Sequence, residues 1–283
     1  MQILAGIVLY NPHLTRLIEN INAIGPQVDS IIFVDNGSLN KTEIENLLAK
    51  ISYNHIVIIN NSNMGIAYAL NQIMEYGEKC GAEWVLTLDQ DSVCPDNIIL
   101  NFSRYLHIEK IGIICPVICD RCFGVIMRDD SAPYKYIDCC ITSASLTNVI
   151  AWRRVGGFDN SMFIDGVDTD YCLTLKENGY QILQCMDVEL LHELGHNSKS
   201  VIFWGHKQIV FHHSAFRYFF ICRNIIYNNR KHRFFRASPI RALITIFYRW
   251  LLIMFFESNK WGKTISIIRG TLKGFIMEIN NNK

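Results

Sequence analysis

The sequence predicts an α/β fold: a Rossmann-like, mostly parallel central sheet with helices on both faces, followed by a basic, aromatic, helical C-terminal segment. Three observations carry this. Short apolar runs rich in strand formers alternate with stretches of helical spacing through the first 118 residues. Each of the first four runs ends in a polar, turn-forming cluster. The charge is split, with residues 1–200 at net −11 and residues 201–283 at net +12, although the whole chain of 283 residues sums to +1.

The elements follow in order. "ILAGIVLY" is a strand, "LTRLIENINAI" has helical spacing, and "SIIFVDNGS" is a buried strand running into a turn. "KTEIENLLAKI" is helical, "HIVIINNSN" a strand, "IAYALNQIMEYGEKC" a helix and "EWVLTLDQDS" a strand. "PDNIILNFSRYL" opens with a proline suited to a first helical turn, and "IGIICPVI" is another strand. Strands separated by helices imply βαβ units and a parallel sheet. Beyond residue 130 the pattern is irregular, with a helix expected from about Asp168 to Asn178, ended by Gly179, and a strand in "QILQCMDVELLHELGH". From about Phe216 the chain reads as helical. We expect a catalytic unit over residues 1–210, divided into 1–115 and 116–210, and an appended segment over 211–283.

Half of the residues are hydrophobic, enough for a substantial core, and the composition is neither fibrous nor disordered. The N-terminal run reads as a strand and not as a signal peptide. A cytosolic setting follows, with the ten cysteines as reduced thiols. Cys119 and Cys122, with Cys115 nearby, lack the second pair that a structural zinc site needs. "LITIFYRWLLIMFF" is short and carries Arg249, which suits a helix lying on a membrane or packed in a core better than one that spans. The basic tail suggests an anionic surface as partner.

Polar residues collect at the carboxyl ends of the strands: Tyr10-Asn11, Asp35-Asn36, Asn60 to Gly65, and Asp89-Gln90-Asp91. Open parallel sheets bind ligands along that rim. If Asp89 and Asp91 remain extended, they face the same way. Two carboxylates so close form either a solvated acidic turn or a site for a hard divalent cation completed by phosphate oxygens. No G-x-G-x-x-G follows the first strand and no P-loop occurs, so a phosphate-bearing ligand would depend on Mg²⁺ or Mn²⁺. Asp165, Asp168 and Asp170 form a second acidic group. They either cap a helix N-terminus or supply a general base. His192-Glu193-Leu194-Gly195-His196 matches H-E-x-x-H literally, but strand-like residues precede it and Gly195 is a poor helix continuation. One histidine completing an oxygen-rich metal site is the better use of that loop.

In order, "GIVLYNP", "IIFVDNGS", "NSNMGIAYALN", "LTLDQDS", "GGFDNSMFIDGVDTDYCLTLKENGY" and "LLHELGHNS" resemble the family 2 glycosyltransferases, and among them the bacterial rhamnosyltransferases of O-antigen and capsule assembly. The resemblance runs from about residue 3 to 230. It implies a GT-A fold and an inverting, metal-dependent transfer of a sugar to a lipid-linked oligosaccharide, with dTDP-rhamnose as the expected donor and another NDP-hexose, or a non-catalytic sugar-nucleotide-binding protein of the same fold, as the alternatives. Carried over by position, Tyr10, Asn11, Asp35, Asn36, Asn63, Gly65, Asn71, Asp89 and Gln90 would serve the donor. Asp91, with Asp89 and His192, would hold the metal. Asp168 would be the base and Asp170 the second acid. Val167 stands where the family has an acid, which leaves Asp165 as a rival base. Arg223 and Asn224 would meet phosphate or acceptor lipid.

Arg217, Arg223, Arg230, Lys231, Arg233, Arg236 and Arg241 would hold an anionic membrane. Phe234, Phe235, Trp250, Phe255, Phe256 and Trp261 lie among or just beyond them. The resemblance thus implies a peripheral enzyme on the inner face of the bacterial cytoplasmic membrane. No nucleic-acid partner is expected, since no recognised module is present.

Overall fold

Strands buried on both faces must be apolar at every position, and the first strand is: all seven residues of β1 (Ile3–Leu9) are buried. The computed structural model describes residues 2–120, 124–125, 132–192, 199–232 and 239–280, apart from the side chains of 120, 124, 125 and 192. The chain continues through α1 (Leu14–Ile24), β2 (Ser30–Asp35), α2 (Lys41–Leu48), β3 (His55–Ile59), α3 (Ile66–Lys79), β4 (Trp84–Asp89) and α4 (Ile98–Ser103). β5 (Ile111–Asp120), the two-residue β6 (Gly124–Val125), β7 (Tyr134–Ile137) and β8 (Ser145–Asn148) lead to α5 (Val149–Arg154) and α6 (Val167–Glu177). After β9 (Gln181–His192) come a hairpin, β10 (Lys199–Phe203) and β11 (His206–Val210), and three helices, α7 (Ala215–Lys231), α8 (Pro239–Phe256) and α9 (Lys260–Ile276).

The main sheet runs β3-β2-β1-β4-β8-β5-β9-β7, with β6 beside β5. β1, β2, β3 and β4 are parallel, as are β5 and β9. Successive residues of β1 feed opposite faces. Ile3, Ala5, Ile7 and Leu9 meet Leu17 and Ile21 of α1, Ile44 of α2 and Phe102 of α4. Leu4 and Val8 meet Ile73 of α3, Trp152 of α5 and Tyr171 of α6. The expected mostly parallel sheet with helices on both faces is what forms.

One local expectation is corrected. Pro95 does not open a helix: α4 starts at Ile98, after Asn97 in the left-handed region at φ 61°. Within the mostly parallel sheet, β8 runs antiparallel between β4 and β5, and β7 runs antiparallel to β9.

The C-terminal helices are packed onto the body. Tyr227 of α7 lies within the second core, and α9 lies along α7 through Gly270 and Gly274. A Cβ at Gly274 would sit 2.5 Å from the carbonyl oxygen of Arg223. Gly274→Val should therefore push the helices apart and cost about 1–3 kcal/mol, read as a lower Tm in thermal unfolding.

α8 is longer than the apolar run in the sequence suggests. At 18 residues, mean hydropathy 1.6 and 17% burial, it is long and apolar enough to cross a membrane by length and composition. The basic residues expected to face a membrane are largely used inside the fold. Arg217 pairs with Asp165, and Arg223 is buried. Arg230 donates to the carbonyls of Gly274 and Met277, while Lys231 is buried between two aspartates. Arg233, Arg236, Phe234 and Phe235 lie outside the described residues. Exposed apolar side chains remain on α8 and α9, among them Phe247, Phe255, Trp261 and Ile268.

Candidate active site

The rim of the sheet is held by side chains acting as struts between strand ends. The backbone N–H of Tyr10 donates to Gln90 Oε1 at 2.9 Å, tying the end of β1 to the end of β4. Asn11, at φ 49°, receives the Leu39 N–H on its side-chain oxygen and donates its own N–H to Ser38 Oγ. Asp35, 2% exposed, accepts the Ser38 N–H at 2.9 Å. Asn36 donates to Asn63 Oδ1 and to the Gly65 carbonyl, and accepts from Asn60 and Met64. Gly65 adopts φ 89°, and a Cβ there would meet backbone atoms of Phe163 at 2.8 Å. That close approach joins the loop before α3 to the loop before α6.

Asp89 and Asp91 do not face together from one strand. β4 ends at Asp89, and a turn closed by Ser92 N–H donating to the Asp89 carbonyl at 3.2 Å carries Gln90 and Asp91 away. On one side β1 pairs with β4 through Asp89, but on the other side the pairing stops earlier. β8 last pairs with β4 at Thr87, and Asn20 takes the Asp89 carbonyl at 2.7 Å. Asp91 is exposed on this turn. Asp89 is half-buried, with its N–H on Ser143 Oγ at 3.2 Å. A bridge between Val93 and Leu191 brings the end of β9, and so the backbone of His192, beside the same turn. The side chain of His192 and residues Glu193 to His196 lie outside what the structure describes.

Across from Asp89 stands Asp168, in the first turn of α6. Gly166, at φ 78°, lets the chain enter that helix sharply. Burial, then the charge of Asp89, push the Asp168 carboxyl up to about 7, while hydrogen bonds from the Thr142 side chain and backbone oppose the shift. Asp168 and Asp89 are thus within electrostatic reach although 79 positions separate them. A helix N-terminus alone would favour the charged form, so capping does not account for this carboxyl.

The other acidic candidates are engaged elsewhere. Asp165 is clasped by Arg217, whose Nη2 donates to Oδ1 at 2.8 Å and whose Nε reaches Oδ2 at 3.1 Å. Asp170, 1% exposed, points away from Asp168 into a buried cluster with Lys231 and His232, each 2.8 Å from its Oδ1. Asn71 is not at the rim: it donates to the Phe158 carbonyl and Asn160, and accepts from Trp152 Nε1 and the Phe158 N–H. It pins α3 to the loop after α5. Asn71→Ala should cost about 1–3 kcal/mol in denaturant unfolding yet leave nucleotide affinity unchanged. Arg223 and Asn224 are also struts. Arg223 donates to the Ser161 carbonyl at 3.0 Å, and Asn224 donates to the carbonyls of Ile164 and Asp165.

Thr142 and Ser143 border the site without having been singled out in the sequence, and Arg217, expected to face a membrane, pairs with Asp165 instead. The pair Thr142-Ser143, just before β8, was the available signal for the first two.

A divalent cation fits only part of this arrangement. Among the described residues no group of three or more His, Cys, Asp or Glu converges as a complete cage. Asp89 and Asp91 offer the hard carboxylate oxygens that Mg²⁺ or Mn²⁺ prefers, in a place where Asp168 senses excess negative charge. The remaining positions would fall to water and ligand phosphate.

Comparison with known proteins bears on this geometry. The family model described as Glycosyl transferase family 2 matches residues 6–131. The chain is 29% identical to the dTDP-rhamnosyl transferase RfbF of Shigella flexneri, over 96% of this chain and 95% of that protein. Its fold is similar to the crystal structure of GalNAc-T7 with UDP, GalNAc and Mn²⁺, with a TM-score of 0.65 and 10% identity. That match covers 86% of this chain and 51% of the other, about half its length. It is also similar to the mannosyltransferase PcManGT from Pyrobaculum calidifontis in complex with GDP-Man and Mn²⁺, with a TM-score of 0.60 and 14% identity. There the match covers 99% of this chain and 77% of the other.

Proposed function

We propose, for a chain that carries a family 2 glycosyltransferase domain and is a glycosyltransferase, that the sugar moved is L-rhamnose, from dTDP-rhamnose to a hydroxyl of a lipid-linked oligosaccharide. The likeness to the dTDP-rhamnosyl transferase supports the donor. The observation that carries the chemistry is Asp168, a carboxyl set opposite Asp89 and pushed up to about 7. A base poised near neutral pH can take the proton of an acceptor hydroxyl as that oxygen attacks the anomeric carbon. Attack from the face opposite the leaving diphosphate inverts the anomeric centre.

The remaining roles follow from position. The rim residues Tyr10, Asn11, Asp35 and Gln90 would receive the nucleoside. Asn36 and Asn63 would shape the loop ending at Gly65. Mg²⁺ or Mn²⁺, held by Asp91 and Asp89 with His192 at the edge, would offset charge on the departing diphosphate. Arg217 donates to both oxygens of Asp165, and this occupancy supports Asp168 over Asp165 as the base. Residues 1–210 would form the catalytic unit. The apolar faces of α8 and α9, more than the internally used basic residues, would rest on the inner face of the cytoplasmic membrane.

The test is calorimetric titration of dTDP and dTDP-rhamnose with Mn²⁺ present, followed by Asp91→Ala. Uptake by the wild type, weakened at least about tenfold in the variant, is the expected result. No nucleotide uptake by well-folded protein would remove the donor site. Preference for UDP- or GDP-sugars over dTDP-rhamnose would reassign the donor.

A further inference from the structure

A cavity of about 650 Å³ lies beside the start of α6, between it and the helices α7 and α8. One part of its wall is apolar: Phe211, Ile221, Ile225 and Ala242. Another part is cationic. Arg241, Thr245 and Arg249 occupy positions i, i+4 and i+8 of α8 and all line the cavity, so one face of the helix presents two guanidinium groups to it. The acid in this lining, Asp165, is already clasped by Arg217.

Two buried polar atoms in the lining side chains are unsatisfied. Arg249 Nε and Asn228 Oδ1 have no hydrogen-bond partner among the described residues. Unpaired buried polar atoms of this kind call for an explanation, and a ligand with acceptor oxygens supplies one for Arg249. His213, also in the wall, is pushed down to about 4, by burial first and then by the charges of Arg217 and Arg249. Asp165 and Glu257 act the other way, the first paired with Arg217 and the second with Lys263. At the outer end of α8, Ile240, Leu243, Ile244 and Phe247 are exposed and continue the apolar character away from the protein.

We propose that this cavity is a subsite for a phosphate or diphosphate group carried on an apolar chain. Arg241 and Arg249 would hold the phosphate oxygens, and the Phe211, Ile221, Ile225 and Ala242 wall would cover the first carbons of the chain. Charge complementarity selects the anion, and the adjoining apolar wall selects an amphiphile over a free phosphate. Its purpose rests on the glycosyl-transfer reading: the cavity borders Gly166 and Thr169, on either side of Asp168, so an acceptor anchored there by its anionic end would present its sugar to the base.

The test uses the full chain saturated with dTDP, which fills the donor site. Farnesyl diphosphate, inorganic pyrophosphate and farnesol are titrated separately by calorimetry, the lipid below its micellar concentration. Farnesyl diphosphate should bind at least about tenfold more tightly than either of the others, since each lacks one half of the match. Arg241→Gln with Arg249→Gln should weaken it about 10²-fold, as expected for two lost charge-assisted contacts. Thr245→Glu, at an exposed helix position that tolerates the change, should weaken it about tenfold by placing a carboxylate against the phosphate. Affinity for dTDP should be unchanged in both variants, which also shows that they fold. Unchanged farnesyl diphosphate binding in the variants would overturn the assignment, and so would its displacement by excess dTDP. Equal binding of pyrophosphate would overturn the apolar half. If farnesyl diphosphate binds as described but dTDP does not bind at all, the cavity assignment stands and the transferase donor assignment falls.

Discussion

Asp168→Asn should lower the transfer rate by about 10³-fold while leaving nucleotide affinity within about twofold, because it removes proton acceptance and keeps shape and hydrogen bonding. The same substitution should make the protein more stable at pH 8. The wild-type carboxyl sits near 7 in the fold, raised by burial and by Asp89 from an ordinary value of 3.8. A raised carboxyl means that the folded state holds the proton more tightly than the unfolded chain does. Its contribution is therefore fully favourable below about pH 4 and is lost as pH rises toward 7. Asparagine has no proton to lose. The stability gap in favour of the variant should open between pH 4 and 7, reach on the order of 4 kcal/mol, and stay level above that. Denaturant unfolding across pH reads the gap, and steady-state kinetics read the rate. Wild-type kcat/KM should rise through the same window to a plateau, as the base becomes ionised. A variant that is stabilised but still turns over normally would remove Asp168 from the base's role and leave it only a strained carboxyl.

Activity lost without loss of fold would separate this residue from its neighbours, a separation that the sequence does not make. Asp165, Asp168 and Asp170 look alike as text. What distinguishes them is supplied from far along the chain: Arg217 for Asp165, Thr142 and Asp89 for Asp168, Lys231 and His232 for Asp170. The same limit explains Asn36, at the end of β2, and Asn71, inside α3, polar residues whose hydrogen bonds are satisfied within the fold. The sheet was more legible. Its strands are continuous apolar runs and its helices repeat with their own period, so each could be read within a dozen residues. β8 escaped because four residues, "SLTN", three of them polar, carry no periodic signal. The hairpin of β10 and β11 escaped for a similar reason: its exposed strands mix Lys, Ser and Gln with apolar residues. Whether the strand continued past Asp89 was left open by its residues, because the end of a strand also depends on hydrogen bonds from elsewhere in the chain, such as those of Asn20 and Ser143.

The buried cluster around Lys231 gives the largest expected effect on stability. Its Nζ lies 2.8 Å from Asp159 Oδ2 and 2.8 Å from Asp170 Oδ1, and both aspartates are 1% exposed. Tyr227, Ser161 and Asn280 complete the shell around Asp159. Burial alone would raise Asp159, but the charge of Lys231 and these hydrogen bonds outweigh it and hold the carboxyl at about 2. Lys231→Met keeps most of the side-chain volume and leaves two carboxylates buried with no ammonium between them. Removing one partner from such a group costs about 3–5 kcal/mol, far more than the net worth of the intact pair. The response to pH should also invert. In the wild type, the Asp159 contribution is present above about pH 4 and lost as pH falls toward 2. In the variant, protonation relieves the repulsion, so mild acidification from pH 7 to 5 should raise its Tm. Lys231→Met combined with Asp159→Asn should recover much of the loss, since one buried charge is then removed along with its partner. Because Asp170 belongs to α6 two residues beyond Asp168, the single variant should also lower kcat even where it remains folded, with nucleotide affinity retained. If Lys231→Met unfolds at the wild-type temperature across this pH range, the cluster is not what fastens α7 to the base helix, and α6 must be positioned by the apolar contacts of Val167 and Tyr171 instead.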